Sequence, residues 1–162
     1  MSTEVETGIL YCEDNLRQVS ATPSESIDLI YLDPPFFSNR EYEVIWGDEA
    51  EVRSFEDRWE GGINYYVDWM WHRALELHRV LKPTGSLYIH CDPHASHYLK
   101  VMLDKIFGYA NFRNEIVWRR TGAHGKSRRF SPIHDTLLQQ VRQLQMEFPK
   151  ASIHGGTCKR VF

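Results

Sequence analysis

Apolar and polar positions alternate along this chain in blocks that change period several times. Residues 26–32, Ser-Ile-Asp-Leu-Ile-Tyr-Leu, are rich in β-formers and run into Asp33-Pro34-Pro35. Two prolines cannot continue a hydrogen-bonded ladder, so a strand is predicted that ends there. Ile63, Tyr66, Val67, Met70, Ala74, Leu77 and Leu81 then recur at steps of three and four, the period of one helix face, and Lys82-Pro83-Thr84-Gly85 supplies the stop. Leu87-Tyr88-Ile89 reads as a second buried strand ending at His90-Cys91-Asp92-Pro93. A second helix is predicted from about His94 to Phe107, with Ala95, Tyr98, Leu99, Met102, Leu103 and Ile106 inward and Gly108 past its end. Glu115-Ile116-Val117-Trp118 and Ile133 to Leu138 read as two further strands, joined by the basic segment Arg119 to Arg129.

The remaining segments are less regular. Gly8-Ile9-Leu10-Tyr11-Cys12 reads as a short first strand ending in Glu13-Asp14-Asn15. From Phe37 to Gly62 the chain reads as irregular and acidic, with eight carboxylates against two arginines between Glu41 and Glu60. Trp46, Phe55 and Trp59 are placed to pack this stretch down, and Trp69, Trp71 and Trp118 read as packing residues. Gln139 to Met146 reads as a polar helix, and His154 to Phe162 as an unstructured tail.

Strand, helix, strand, helix, strand is the order of an α/β sheet with parallel crossovers, and the final pair suits an antiparallel hairpin. In such sheets ligands gather beyond the carboxyl ends of the strands. Three polar clusters fall there: Glu13-Asp14-Asn15, Asp33-Pro34-Pro35-Phe36 and His90-Cys91-Asp92.

Composition narrows the setting. A chain of 162 residues makes one domain. Folded, a chain of this mass buries roughly 70% of its extended surface. The net charge of −3 gives no global field that draws in a polyanion, so any nucleic-acid contact must be local. Cys12, Cys91 and Cys158 are widely spaced and read as reduced thiols. With no long apolar run and a polar start, the expectation is a soluble, cytoplasmic protein.

The Asp-Pro-Pro-Phe string carries the most chemistry. Each proline fixes φ near −65° and removes an N–H, and each holds its predecessor out of the helical region. The product is a stiff turn that offers carbonyl oxygens without competing donors, a carboxylate at one end and a flat ring at the other. A planar amine conjugated to a heteroaromatic ring needs two acceptors for its N–H bonds and a surface on which to stack. The turn supplies all three. A rigid strand-terminating turn with a core phenylalanine is the plainer use of the same four residues, but the buried strand before it and the polar strand end about 20 residues upstream favour a site.

Taken with its surroundings, this turn resembles the catalytic region of site-specific DNA methyltransferases that act on exocyclic amino groups. It is most similar to the permuted β class, in which the catalytic motif precedes the cofactor motif. The blocks that carry the resemblance are Leu10 to Leu16, Ile27 to Phe36, Leu81 to His90, Leu103 to Gly108, Asn114 to Trp118 and His134 to Leu138, in that order. The resemblance implies a partial Rossmann-like sheet, mostly parallel with a C-terminal antiparallel hairpin. It implies S-adenosylmethionine as methyl donor, double-stranded DNA as partner, and a target base swung out of the helix at a cost of roughly a few kcal/mol. In this role Asp33, Pro34, Pro35 and Phe36 are the catalytic residues, with Asp33 and the Pro34 carbonyl accepting from the amine and Phe36 stacking on the base. Asp33 and Asp14 are also the expected cofactor contacts. An aspartate at the first position of the turn accompanies adenine more often than cytosine in this family, which makes adenine the expected target.

Other constellations have plainer readings beside the functional ones. Asp14 is as well suited to cap the helix begun by Asn15 as to contact the cofactor. Arg119, Arg120, Lys126, Arg128 and Arg129, spaced by Gly122 and Gly125, form the one concentrated basic segment and suit phosphate contacts, the alternative being a solvated loop. His90, Cys91, Asp92, His94 and His97 lack a convincing fourth zinc ligand and read as a strand end and a helix cap rather than a metal site.

The chain departs from the family in two respects, one being that the family's strand would go on with apolar and aromatic residues after Leu138, where polar residues follow. The family's cofactor segment carries a Phe-x-Gly-x-Gly loop, and no such string occurs in these residues. Residues 1–138 are therefore expected to form an incomplete catalytic region and residues 139–162 a divergent tail, with little activity from the chain alone. Without the strands of that segment the Asp33 strand is expected to expose an apolar edge and to invite a second chain or self-association. A non-catalytic DNA-binding remnant of the fold, a cytosine-amine methyltransferase, and a methyltransferase acting on RNA or on a protein glutamine are the competing readings.

Overall fold

The computed structural model describes residues 5, 7–37, 41–46, 51–56, 59, 61–120 and 133–143, the two short segments 41–46 and 51–56 as backbone only. The elements are α1 (Asn15–Ala21), β1 (Ile27–Leu32), β2 (Glu41–Trp46), β3 (Glu51–Glu56), α2 (Gly62–Val80), β4 (Leu81–Cys91), α3 (Ser96–Phe107), a 3-10 turn (Tyr109–Asn111), β5 (Phe112–Arg119) and β6 (His134–Val141).

Four strands form one sheet in the order β1-β4-β6-β5. β1 pairs in parallel with β4, and β6 lies antiparallel to both β4 and β5. Three of the four strands therefore run the same way, and β6 with β5 is the hairpin expected from the sequence. The register sets Leu32 beside Ile89 and His90 beside Leu137, so the ends of β1 and β4 lie next to the start of β6.

Strand alternation divides the sheet into two faces. Leu87, Ile89 and Cys91 of β4 are buried together with Leu138 of β6, against Tyr66, Met70, Ala74 and Leu77 of α2 and Leu99, Met102 and Leu103 of α3. These are the helix positions the period predicts. One of the expected inward residues differs: Tyr98 is exposed, while Phe107, not expected inward, is buried at the helix end. Leu81, expected on the face of α2, is instead the first residue of β4, fully buried. α1 is held from its C-terminal end by Arg79, whose guanidinium donates to the carbonyls of Val19 (2.9 Å) and Thr22 (3.0 Å). Such carbonyls have no partner within a helix.

Two glycines have geometric work. Gly108 ends α3 with φ of 88°, and its N–H donates to the Asp104 carbonyl at 2.9 Å. Gly85 lies where a Cβ would come within 2.8 Å of Leu81 Cδ2 and 3.0 Å of the Ile27 and Lys82 carbonyl oxygens. The close seating of β1 on β4 requires that absence.

Three expectations are corrected. Residues 9–12 form no strand, and Leu10 is 95% exposed. A strand exists through its ladder, and among the described residues β1 pairs with β4 alone, its other edge not taken up by residues 9–12. The stretch expected to be irregular contains the antiparallel pair β2 and β3, with Tyr42 opposite Phe55 and Ile45 opposite Val52. The β-formers there outweigh the acidic residues that hid them. Finally, Gln139, Gln140 and Val141 do not begin a helix; they continue β6, opposite Tyr88, Leu87 and Ser86. A central strand receives ladder bonds on both sides, which overrides weak local preference. The helix expected beyond them and the tail from His154 lie outside the described residues.

Candidate active site

Asp33 follows β1 directly and stands at its carboxyl end, where its side chain is 60% exposed. Pro34 is buried, which anchors the turn. The two rings after it are held from different sides. Phe36 meets the His90 ring edge-on, with centroids 5.1 Å apart and planes at 74°. Phe37 tilts against Tyr66 of α2 at 5.7 Å. The proline pair fixes the backbone, and two aromatic contacts fix its direction.

His90, the penultimate residue of β4, stands beside the carboxylate. Its Nδ1 is 3.3 Å from Asp33 Oδ1 and 3.2 Å from the Tyr31 hydroxyl. Tyr31 ionises less readily than an ordinary phenol, first because of burial and then because of the Asp33 charge. On the other side of the ring, His90 Nε2 is 3.5 Å from Asp135 Oδ2, and Asp135 Oδ1 is 3.2 Å from Arg120 Nε. Both contacts lie within ion-pair distance but off hydrogen-bond alignment, since His90 Nε2 and Asp135 Oδ1 are buried without a hydrogen-bond partner among the described residues. They are close polar contacts rather than hydrogen bonds.

Asp14 lies on a second line of contacts. Its Oδ1 accepts from the Leu16 N–H at 2.8 Å, so it does cap α1, and its Oδ2 pairs with Arg73 Nη2 at 2.7 Å. The carboxylate is still 59% exposed. Arg73 is buried on α2, donates also to Asn15 Oδ1 (3.0 Å) and the Trp69 carbonyl (3.2 Å), and lies 3.6 Å from the Trp69 ring centroid. Trp69 touches Trp59, and Trp59 touches Tyr66, the ring that carries Phe37. A continuous aromatic path thus joins the Asp14 anchor to the Asp-Pro-Pro-Phe turn.

The other sequence candidates divide. Arg119 ends β5 and is exposed, while Arg120 is tied to β6 through its N–H to the Ile133 carbonyl (2.8 Å) and to Asp135. Lys126, Arg128 and Arg129 lie outside the described residues. The His-Cys-Asp-Pro-His segment does not converge. His90 and Cys91 point to opposite sheet faces, Asp92 Oδ1 caps α3 by accepting from the Ala95 N–H (3.2 Å), and His94 Nδ1 is 2.7 Å from Asp92 Oδ2. Burial, helped by Asp92, Glu115 and Asp135, pushes the Cys91 thiol up to about 12, so it stays protonated. Trp118, expected to pack, is 61% exposed.

Sequence reasoning missed Tyr31, Arg73, Asp135 and the position of His90 between two carboxylates. A signal existed for Arg73 alone. It is a cation on the apolar face of α2, four residues from Trp69 and three from Met70.

A sheet whose parallel β1–β4 pair carries an acid, a proline corner and a ring at its carboxyl end places these groups where α/β folds gather their ligands. Comparison with known proteins makes the reading specific. Residues 27–152 match the N6_N4_Mtase family, DNA methylase, and the chain belongs to that family. It is similar to the type II methyltransferase M.KpnI of Klebsiella pneumoniae, 32% identical over 133 residues, which cover 80% of this chain and 31% of that protein. It is also similar to the DNA adenine methyltransferase YhdJ of Escherichia coli K12, 25% identical over 131 residues, 80% of this chain and 39% of that protein. In structure it resembles the PvuII DNA methyltransferase, described as cytosine-N4-specific, with a TM-score of 0.59, 19% identity, and coverage of 82% of this chain and 48% of that one. The chain thus spans about a third of the length of these curated relatives.

Proposed function

We propose that this chain carries the amine-holding site of an S-adenosylmethionine-dependent DNA methyltransferase whose target is the exocyclic amine of adenine in double-stranded DNA. The observation that carries the reading is an open Asp33 carboxylate beside Phe36, at the carboxyl end of β1, with the turn between them fixed by two prolines.

In this reading Asp33 and the Pro34 carbonyl accept the two N–H bonds of the amine, and Phe36 gives the extruded base a surface to stack on. Asp33 acts by fixed acceptance more than by proton abstraction. Holding the nitrogen in line is a positioning effect, and acceptors already in place ease the loss of conjugation as the nitrogen becomes a nucleophile. S-adenosylmethionine, when bound, supplies the electrophilic methyl group. Asp14 and Asp33 fit such a cofactor in part. Both are exposed carboxylates able to accept from its hydroxyl or amino groups, and Arg73 holds Asp14 in place. The glycine-rich loop that would let the backbone approach the cofactor is not in these 162 residues, so we expect no measurable transfer from the chain alone. Arg119, Arg120, Lys126, Arg128 and Arg129 would contact phosphates, which position DNA without reading its sequence.

Adenine is favoured over cytosine by the aspartate that opens the turn, and the adenine specificity in the name of YhdJ agrees with it. The second reading is a non-catalytic DNA-binding remnant of the fold. Calorimetric titration with S-adenosylmethionine separates the two. Micromolar binding abolished by Asp33→Ala supports the catalytic reading, whereas no heat at millimolar ligand supports the remnant. Labelled methyl groups offered with DNA, RNA and protein, and the products resolved, test the substrate class.

A further inference from the structure

We propose that His90 is the positioning residue of the turn, setting the direction of the Asp33 carboxylate and the seat of Phe36. The inference rests on the amine-holding reading of that turn. His90 stands on β4, the strand that flanks β1, and its side chain is 19% exposed, so it has little freedom to turn away. One ring contacts four groups. Nδ1 faces Asp33 Oδ1 and the Tyr31 hydroxyl, the ring receives Phe36 at 5.1 Å, and Nε2 faces Asp135. Asp33 and Phe36 therefore share one contact, the His90 ring, at the carboxyl end of β1.

The ring is in turn held from behind. Asp135 is buried at 3% exposure on the central strand β6, and a buried carboxylate needs partners. It has two, His90 and Arg120, the latter at the start of the basic segment. Each ring nitrogen therefore has a carboxylate on its own side, at 3.3 Å for Nδ1 and 3.5 Å for Nε2. The line Asp33, His90, Asp135, Arg120 runs across the whole sheet, from the end of β1 to the end of β5, to the cations proposed to meet phosphate.

The test has two parts, both on the full chain. Long-range proton–nitrogen spectra of the His90 ring at one fixed pH should show Asp33→Asn moving the Nδ1 resonance most, and Asp135→Asn moving Nε2 most. Titration with 2′-deoxyadenosine, followed by the Phe36 ring resonances, should show affinity falling about tenfold in His90→Ala. His90→Gln, which keeps one polar contact, should recover part of that loss, with melting temperatures of the two variants alike. Binding in the wild type that His90→Ala leaves unchanged overturns the inference and spares the amine reading. No binding in the wild type overturns the amine reading and the inference with it. Ring resonances that respond to neither asparagine variant overturn the inference.

Discussion

Arg73 and Asp14 are bound at 2.7 Å, joining the middle of α2 to the cap of α1, with the guanidinium over the Trp69 ring. Asp14 is largely exposed, so its charge contributes little to stability after screening. What Arg73 adds lies in its buried stem and its bonds to Asn15 and the Trp69 carbonyl. Arg73→Ala is expected to cost about 2 kcal/mol, read from the urea midpoint. Arg73→Lys, which lacks the planar fork, should recover less than half of it. A neutral Arg73→Ala would show that the path from Asp14 to the turn is not held together in this way.

Gly85 tests the seating of β1 on β4. Two of the three atoms that a Cβ would meet are backbone carbonyl oxygens of the β1–β4 junction. They cannot move as a side chain can. Gly85→Ala should therefore destabilise by about 1–3 kcal/mol, seen as a lower denaturant midpoint at unchanged slope.

Much of this was legible in the chain itself, and for identifiable reasons. The end of β1 follows from two prolines, and α2 and α3 follow from a period of three to four that spans many residues. Those are local rules. Residues 9–12 misled because a strand is not local: the apolar run was there, but its ladder was not. Asp33-Pro34-Pro35-Phe36 was readable because its chemistry lies in adjacent residues. His90 and Asp135 meet it through register between β1, β4 and β6, which no spacing in the sequence displays. Asp135 also sits within an apolar strand pattern, where nothing marks it as a partner of Arg120.

Gln140 offers a test of the β6 extension. It is fully buried opposite Leu87, and neither its amide nitrogen nor its oxygen has a hydrogen-bond partner among the described residues. An unsatisfied buried amide costs about 1–3 kcal/mol. Gln140→Leu has nearly the same volume and should stabilise the chain by an amount in that range. A loss of stability would place Gln140 in a polar contact and contradict the register given to β6.

His78 should make stability fall in mild acid. It sits on the last turn of α2, edge-on to Phe107 at 4.8 Å, and both burial and the Arg142 charge lower its proton affinity below the ordinary 6.5. The unfolded chain then binds the proton more tightly than the folded one. Its contribution is complete above pH 6.5 and is lost as pH falls through the lower folded value. Denaturation midpoints measured from pH 7.5 downward should decline, and His78→Gln should flatten that part of the curve. An unchanged slope in the variant would assign the decline to other groups.

The central claim is that the turn after β1 receives an amine on a flat ring, and a comparison of two nucleosides tests it most directly. Chemical shifts of the chain are followed during titration with 2′-deoxyadenosine and with the purine deoxyriboside that lacks the amino group. The account predicts shifts at Asp33, Phe36 and His90 with the first, much weaker ones with the second, and none at these residues in Asp33→Ala. Equal response to both nucleosides, or a response confined to another part of the sheet, would contradict it.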